Sequence, residues 1–288
     1  MRIATWNVNS LGARLERVRG WLERAQPDVL LMQETKLPDD AAPHAMFRDA
    51  GYQLAHHGQG RWNGVAIASK VGLEGVVKAF GEDVAVRDEE DEHDPLREAR
   101  MIAATCGGVQ VVSVYVPNGR VLGSPFYEAK LGWIARLGRW LGEVCDPSAQ
   151  LVVGGDFNVA PSDEDVWDPT AVNGGTHVSQ RERDAVASLL GWGLTDAYRA
   201  HSKEPGRYSW YDYRAGMFHK NFGMRIDLML VTKSVASRVR WAEIDREARK
   251  GKPTPSDHAP VMIDLDVPGV PLDAGWEGAL ERIKKRVK

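Results

Sequence analysis

Apolar residues occur along the chain in short runs rich in valine, isoleucine and leucine, separated by polar or glycine-containing segments. Runs of this length and composition are typical of buried β-strands. We predict strands at Arg2–Trp6, Val29–Met32, Gly64–Ala68, Met101–Thr105, Val109–Val116, Leu151–Val153, Ile226–Val231 and Val261–Leu265. A Cys-Gly-Gly sequence separates the fourth run from the fifth and predicts a hairpin between them.

Other segments have helical spacing. Leu15, Val18 and Leu22 recur at intervals of three and four residues, with Ser10 as a candidate N-cap. The same spacing recurs at Leu131, Ile134, Leu137 and Leu141, and at Val186, Leu189 and Leu190. Hairpin-linked strands mixed with helices argue against a purely parallel, doubly wound sheet. They favour an α/β sandwich of two sheets flanked by helices.

Composition narrows the class of protein. The chain has 288 residues, of which 43% are hydrophobic and 27% charged, a balance typical of a globular protein with a sizeable core. It contains only two cysteines, too few for a disulfide framework. We find no signal peptide and no apolar run long enough to span a membrane, so we expect a cytoplasmic protein that makes no membrane contact.

The distribution of charge suggests how the chain is organised. The net charge of −3 gives no global basic field, so a polyanion would have to bind a local basic face. The acidic run 88–94 is interpreted as a solvated loop rather than a cation site, and we expect it to lie away from the catalytic face. We interpret residues 1–268 as one domain. We expect residues 269–288 to form a basic amphipathic tail whose Trp276, Leu280 and Ile283 dock on that domain.

Polar side chains follow, interrupt or directly precede several of the predicted strands. They are Asn7, Asn9, Glu34, Asp156, Asn158, Asp227, Asp257 and His258. Each alone has an ordinary explanation as a turn residue, a strand-end charge or a loop cap. Asp227 is different, because a carboxylate inside the sequence RIDLML needs a buried partner for its charge. Together the carboxylates and carboxamides form a set of hard oxygen ligands suited to Mg²⁺ or Mn²⁺ rather than zinc.

Seven motifs occur in a fixed order between Trp6 and Val261: WNVNS, QETK, YVPNG, GGDFNVAP, SWYDYR, MRIDLML and SDHAPV. In this order they resemble the exonuclease III family, the class II abasic-site endonucleases of the endonuclease/exonuclease/phosphatase superfamily. The resemblance implies a four-layer α/β sandwich with two packed, mixed β-sheets flanked by helices. It also implies a Mg²⁺-dependent DNA-repair phosphodiesterase, with Mn²⁺ as a substitute. Such an enzyme cleaves duplex DNA 5′ to abasic sites, degrades DNA as a 3′-5′ exonuclease and removes blocking groups from 3′ ends.

The resemblance also assigns roles at the metal. Glu34 is the principal metal ligand, with Asn7 and Asp257 nearby and Asp156 and Asn158 as further candidates. Asp156 is the proposed general base, and Asn158 holds the attacking water or a phosphoryl oxygen. An extended chain places these two side chains on the same side, with the intervening Phe157 in the core. The two glycines before Asp156 are interpreted as clearing space for metal, water and phosphate.

Three further residues are assigned to the phosphate. His258 donates to a non-bridging oxygen, and Asp227 accepts its other N–H, which favours a charged imidazolium. Tyr115 points its phenol at the phosphate or the leaving oxygen. The sequence leaves open whether Asp156 or a Tyr115 phenolate begins the proton transfer, and whether one or two metals act.

The expected partner is duplex DNA with abasic sites or damaged or recessed 3′ ends, bound by a monomer. Trp210, Met224 and Ile226 would form the pocket for a flipped-out sugar. Asn118, Lys220 and Arg225 would contact the DNA. The segment 246–252 is either a basic rail for the phosphate backbone or a solvated loop.

Two departures qualify the resemblance. Asn9 stands where some relatives carry aspartate, and Met224 replaces an aromatic residue found in some members, which could shift the balance between incision and exonuclease action. Two alternative functions remain: a superfamily phosphatase or nuclease of other specificity, and a non-catalytic DNA-binding relative. The presence of Glu34, Asp156 and His258 argues against the non-catalytic one.

Overall fold

A computed structural model of the chain describes residues 1–81 and 94–273. Most of the acidic run 88–94 therefore lies outside the described residues, with Asp94 the exception. The three tail residues predicted to dock, Trp276, Leu280 and Ile283, also lie outside them.

The described residues form two six-stranded mixed sheets. The strands of the first, in spatial order, are β11 (Val239–Ile244), β12 (Val261–Leu265), β1 (Arg2–Asn7), β2 (Val29–Gln33), β4 (Val65–Ser69) and β3 (Gln53–His57). Strand β1 runs parallel to β2, with Ala4 opposite Leu30, and antiparallel to β12, with Ala4 opposite Met262. This sheet therefore joins strands from the two ends of the described chain.

The second sheet is built from the middle of the chain. Its strands, in spatial order, are β5 (Glu74–Lys78), β6 (Met101–Cys106), β7 (Val109–Tyr115), β8 (Leu151–Asp156), β10 (Asp227–Thr232) and β9 (Leu194–Asp196). Strand β7 runs parallel to β8, with Tyr115 opposite Asp156. Each sheet thus has one parallel pair at its centre, flanked by antiparallel strands.

The longest helices cover the outer faces of the two sheets. Those described are α1 (Leu15–Ala25), α2 (His44–Asp49), α3 (Pro125–Val144), α4 (Pro169–Val172), α5 (Gln180–Trp192), α6 (Ala197–His201), α7 (Met217–Lys220) and α8 (Lys233–Ala236). One hydrophobic core lies between the sheets, where Leu31 and Ile67 meet Val152 and Met229. A second core joins α3 and α5 to the second sheet, and a third core joins α1 and α2 to the first sheet. The predicted four-layer sandwich is confirmed. No helix in the described ranges is long and apolar enough to cross a membrane.

All eight strands predicted from the hydrophobic pattern are present, and their observed ends differ from the predicted ends by at most three residues. The glycine hairpin is confirmed, because Cys106 pairs with Val109 and Gly107 and Gly108 have φ values of 56° and 78°. Ser10 is not the N-cap of α1. Arg14 occupies that position without a side-chain hydrogen bond, because a short 3₁₀ helix at Gly12–Arg14 precedes α1.

Candidate active site

Strand ends from both sheets meet at one place. Asn7 is the last residue of β1 and Glu34 follows its parallel neighbour β2, while Tyr115 and Asp156 end the parallel pair β7 and β8. Because the carboxyl ends of parallel strands lie at the same sheet edge, polar groups at those ends are brought together. The Asn7 Nδ2 donates to Glu34 Oε1 and to Asp156 Oδ2, both at 2.9 Å, and so joins the two sheets.

Asp227, His258 and Asp156 form a buried array beside this junction. Asp227 begins β10 and lies opposite Asp156 in the antiparallel register. The His258 Nδ1 is 2.8 Å from Asp227 Oδ2, and its Nε2 is 3.9 Å from Asp156 Oδ2. Burial alone lowers the pKa of His258, but the charges of Asp227 and Asp156 outweigh it and raise the pKa to about 10. The buried partner predicted for Asp227 is therefore His258, held as an imidazolium at neutral pH.

Burial disfavours the charge of both carboxylates of the site, but their net pKa shifts have opposite directions. Burial raises the pKa of Asp156 to about 7, aided by the charges of Asp227 and Glu34 and opposed by His258. Burial also disfavours the charge of Glu34, but Lys36 and the hydrogen bond from Asn7 outweigh it and lower the pKa. Asp156 is thus suited to exchange a proton near neutral pH, while Glu34 stays ionised.

Tyr115 lies against the same carboxylates. Burial and the negative charge of Glu34 raise the pKa of Tyr115 well above its usual value. The Arg100 guanidinium lies over the Tyr115 ring, 4.6 Å from its centroid. A phenolate is therefore disfavoured at neutral pH, and the phenol is available as a donor.

Asn158 reaches Asp156 by a different route from the one predicted. The chain is not extended at Asn158, whose φ of 50° is left-handed. Its backbone N–H donates to Asp156 Oδ1 at 2.8 Å, and its Nδ2 donates to the Val116 carbonyl at 2.9 Å. Phe157 is fully buried in the core beneath α3, as predicted. A tight turn closed by the Asp156 carboxylate therefore brings the two polar side chains together.

The glycines before Asp156 do not clear space for metal or phosphate. A Cβ at Gly155 would lie 1.9 Å from the Val114 carbonyl oxygen, within the sheet. A Cβ at Gly154 would lie 2.8 Å from both Leu31 Cδ1 and Met229 Sδ, between the sheets. The two glycines are required by close packing of β8 against its neighbours.

Glu34, Asp156 and His258 each offer a ligand atom, and these atoms lie within 4.8 Å of one another. An imidazolium cannot bind a cation, so the carboxylates of Glu34 and Asp156 are the ligands that fit a hard divalent ion. Asp257 is not part of this group among the described residues. Its Oδ1 accepts from Asn9 Nδ2 at 2.9 Å, and its Oδ2 accepts from the Trp210 indole at 3.2 Å.

Lys36 was not singled out in the sequence, although it belongs to the QETK motif. Its ammonium is 2.8 Å from Glu34 Oε2 and donates to Asn9 Oδ1 at 2.7 Å. The Asn9 amide thus accepts from Lys36 while it donates to Asp257. An aspartate at this position would place a second carboxylate against Asp257.

The predicted sugar pocket is a real cluster next to the array. Ile226 is buried with Ala160 and Val166, and the half-buried Trp210 and Met224 pack against them. Trp210 forms isolated bridges with Met224 and with His258. The backbone bridge therefore places this cluster next to the chain segment that carries His258.

Two of the predicted DNA contacts are exposed and one is wrong. Asn118 is exposed and donates from Nδ2 to Asn158 Oδ1 at 3.2 Å, and Lys220 is exposed beside Phe222. Arg225 is fully buried, with its guanidinium 2.7 Å from Asp165 and 2.8 Å from Asp196. It cannot reach DNA, because an intact ion-pair network encloses it.

The segment 246–252 is neither a basic rail nor a simple solvated loop. Arg246 and Arg249 are buried and lie over the rings of Tyr211 and Phe218, within 4.6 to 5.9 Å of the centroids. Only the lysines of this segment are exposed cations.

A cleft of about 340 Å³ adjoins Tyr115 and Asn118 and was not predicted. Trp62 lines it with 58% of its surface exposed, and the Arg61 guanidinium lies 5.5 Å from its ring centroid. Arg120 lies 3.7 Å from the centroid of Phe126 on the opposite wall. Paired cations and aromatic rings are typical of surfaces that bind nucleic acid. The signal available in the sequence was the adjacent Arg-Trp in a glycine-rich loop.

Comparisons with known proteins agree with this geometry. The family model described as the Endonuclease/Exonuclease/phosphatase family matches residues 4–258. A protein named Exodeoxyribonuclease III from Haemophilus influenzae is 31% identical over 280 residues, which cover 92% of this chain and 100% of the relative.

Two solved structures are also similar. An AP endonuclease from Archaeoglobus fulgidus superposes with a TM-score of 0.84 and 35% identity, covering 93% of this chain and 100% of the other. A 3′ phosphatase from Neisseria bound to a product DNA hairpin superposes with a TM-score of 0.83 and 38% identity, over the same fractions of the two chains.

Proposed function

Because the chain belongs to the endonuclease/exonuclease/phosphatase family and is a nuclease of the exonuclease III and AP endonuclease type, we propose that it is a Mg²⁺-dependent DNA-repair phosphodiesterase. Its proposed substrates are duplex DNA with an abasic site, cut on the 5′ side, and DNA with recessed or blocked 3′ ends. The structural neighbours named as an AP endonuclease and as a 3′ phosphatase support both kinds of substrate.

One observation supports this function above the others: the Asp227–His258–Asp156 array lies next to Glu34. It offers an imidazolium and a carboxylate with a pKa of about 7 within 3.9 Å of each other. Phosphodiester hydrolysis needs positive charge at a phosphoryl oxygen and a base for the attacking water. The array supplies both, and the fully buried Asp227 keeps the imidazole charged.

Glu34, which stays ionised, would hold the metal ion, with the Asn7 amide fixing its carboxylate relative to that of Asp156. When bound, Mg²⁺ neutralises phosphate charge and stabilises the leaving oxygen. Mn²⁺, with similar oxygen chemistry, is the proposed substitute.

The protein groups divide the remaining work. The His258 imidazolium donates to a non-bridging phosphate oxygen. Asp156 accepts the proton of the attacking water, and Asn158, joined to it at 2.8 Å, orients that water. The raised pKa of Tyr115 supports a role as a donor to the phosphate or the leaving oxygen rather than as the base. These assignments favour Asp156 over Tyr115 as the group that begins proton transfer.

Binding uses the surfaces on either side of this array. The half-buried Trp210 and Met224, packed on the buried Ile226, receive the base-less sugar when the nucleotide leaves the stack. Asn118 and Lys220 contact the phosphate backbone. The cleft lined by Trp62 and Arg120 extends this surface past Tyr115.

The test is incubation of the protein with an end-labelled duplex that carries one abasic-site analogue, with Mg²⁺, Mn²⁺ or EDTA. We expect a single nick 5′ to the analogue with either metal and none with EDTA. Parallel rates on recessed and 3′-phosphate duplexes measure the other proposed activities, and Glu34→Gln serves as the inactive control. Hydrolysis of phosphate monoesters without any nick at the abasic analogue would overturn the endonuclease proposal.

A further inference from the structure

Lys130 and Glu182 form an ion pair with no exposed surface on either side chain. Lys130 comes from α3 and Glu182 from α5, the two helices that cover the outer face of the second sheet. Burial lowers the pKa of Lys130, while the charge of Glu182 opposes that shift. The pair lies behind the active site rather than in it, and neither residue has a role in the hydrolysis described above.

The ammonium group of Lys130 binds the two loops that carry active-site asparagines. It donates to the Asn158 carbonyl at 2.6 Å, to the Asn118 carbonyl at 3.3 Å, and to Glu182. An ammonium has three donors, and all three are used here. The side chains of Asn118 and Asn158 hydrogen-bond each other at 3.2 Å on the opposite side of the same loops.

Glu182 holds a third segment, residues 176–179, next to the Lys130 ammonium. Its Oε1 also accepts from Thr176 Oγ1 and from the backbone N–H of His177, both at 2.9 Å. Its Oε2 accepts from the backbone N–H and hydroxyl of Ser179, at 3.0 and 2.7 Å, closing the capping box of α5. The carboxylate thus ties the start of α5 to the ammonium that holds the active-site loops.

The local backbone needs this support. Asn158 has a φ of 50°, a left-handed conformation that is uncommon for residues with a side chain, although asparagine adopts it more often than most. The neighbouring loop passes close to the aliphatic part of Lys130. A Cβ at Gly119 would lie only 2.9 Å from Lys130 Cδ. A buried ion pair contributes little net stability compared with apolar side chains of the same volume. Its effect here is therefore on the position of the loops.

We propose that Lys130 and Glu182 are positioning residues for catalysis. They hold the carbonyl groups of Asn118 and Asn158 so that the Asn158 side chain stays beside Asp156. The inference rests on the proposed nuclease function, but the arrangement of the loops is also measurable without substrate.

The kinetic test compares Lys130→Met with Arg2→Met on the abasic duplex, at a temperature where both variants are folded. Arg2 forms a comparable ion pair with Asp264, at the opposite end of β1 from Asn7 and about 16 Å away at 3.3 Å per strand residue. We expect Lys130→Met to lower kcat by about 10- to 100-fold, because small misplacements of reacting groups cost that much, with KM changed less than about threefold. Arg2→Met should retain the wild-type kcat. An equal loss of kcat in the two variants would contradict a positioning role.

A second measurement covers the case in which Lys130→Met does not fold. Glu182→Gln keeps one of the two acceptor oxygens and the side-chain volume, while it removes the charge and turns the other oxygen into an NH2 donor. We expect it to fold and to lose less kcat than Lys130→Met. In its substrate-free ¹H–¹⁵N spectrum, the side-chain amide resonances of Asn118 and Asn158 should shift from those of the wild type. Unchanged amide resonances together with unchanged kcat overturn the inference. Wild-type protein that fails to nick the abasic duplex counts against the proposed function instead, because the amide resonances do not depend on activity.

Discussion

At the residue scale, the charge of His258 depends on one neighbour more than on any other. Its Nδ1 is 2.8 Å from Asp227, which is wholly buried. The raised pKa of about 10 means that the imidazole keeps its proton throughout the neutral range and loses it only at high pH. Removal of the Asp227 charge must therefore move deprotonation to lower pH.

We predict that Asp227→Asn lowers the pKa of His258 by roughly one to three units, the usual effect of an adjacent opposite charge. The measurement is an NMR titration of the His258 ring proton in metal-free protein, from neutral to alkaline pH. Titration of wild-type His258 near the ordinary histidine pKa would show that the carboxylates do not hold its charge.

Asp156→Asn tests the general base. We expect kcat to fall by about 10²- to 10⁴-fold, the usual contribution of general acid–base catalysis, because the amide cannot accept the proton of water. The Kd for the abasic duplex, measured by fluorescence anisotropy in Ca²⁺, should stay near that of wild type, since removing a buried negative charge does not repel phosphate. Near-full incision by this variant would remove Asp156 from the proton transfer.

Single residues differ in how far the sequence predicts them. The partner of Asp227 could be anticipated, because a charge inside an apolar strand must be neutralised locally. The burial of Arg225 could not, because its partner Asp165 lies 60 positions away and is joined to it only by the fold. Lys36 was missed because a lysine beside an acidic residue has the same pattern as an ordinary exposed ion pair.

At the element scale, β8 is shaped by what packs against it. A side chain at Gly154 or Gly155 would clash with neighbouring atoms, and at Gly155 those atoms belong to the backbone of β7. A backbone obstacle cannot rotate away as a side chain can. The parallel pair β7–β8 therefore depends on Gly155 for its spacing, and Tyr115 and Asp156 lie at the end of that pair.

We predict that Gly155→Ala lowers the free energy of unfolding by about 1–3 kcal/mol or more, the typical cost of overpacking. Urea denaturation followed by circular dichroism measures this change. Gly132→Ala in α3 is the matched control, because nothing lies within 4 Å of its Cβ position. That control should be stabilised by about 0.5–1 kcal/mol, the helix preference for alanine over glycine. Equal stability of the two variants would contradict the packing explanation.

The strands that the hydrophobic pattern did not predict lie at the edges of the sheets, and this position explains why they were missed. Strand β5 lies at a sheet edge with all its residues exposed, so no apolar alternation was selected there. Strand β11 is also at an edge and carries Arg240 and Glu243. Central strands are buried on both faces and read as continuous apolar runs, which explains why all of them were found.

At the scale of the whole molecule, binding of DNA must overcome a net charge of −3. In the proposed complex, the cations available to phosphate are those that the fold leaves exposed, such as Lys220. Several arginines near this face are instead used inside the protein, Arg225 and Arg249 among them. Counting basic residues in the sequence overestimates the binding surface.

We predict opposite effects for Lys220→Ala and Arg225→Met. The first should reduce the slope of log affinity against log salt by about 1, with stability unchanged within about 0.5 kcal/mol. The second should leave the slope unchanged and destabilise the protein by about 3–5 kcal/mol, because it leaves buried carboxylates without their partner. Salt-dependent anisotropy and urea denaturation measure the two quantities. A changed salt slope for Arg225→Met would restore that arginine as a DNA contact.

Strand β1 lies between β2 and β12, so the sheet that carries Asn7 and Glu34 is completed by residues 261–265. During synthesis the chain appears from its N-terminus, and every strand of the second sheet is made before β12. A polypeptide released early, before residue 258, has the acidic groups of the site but neither His258 nor the strand that closes the first sheet. If the chain is the nuclease proposed here, a product that stops before residue 258 lacks the imidazolium that the hydrolysis needs, so we expect partly synthesised chains to leave DNA intact.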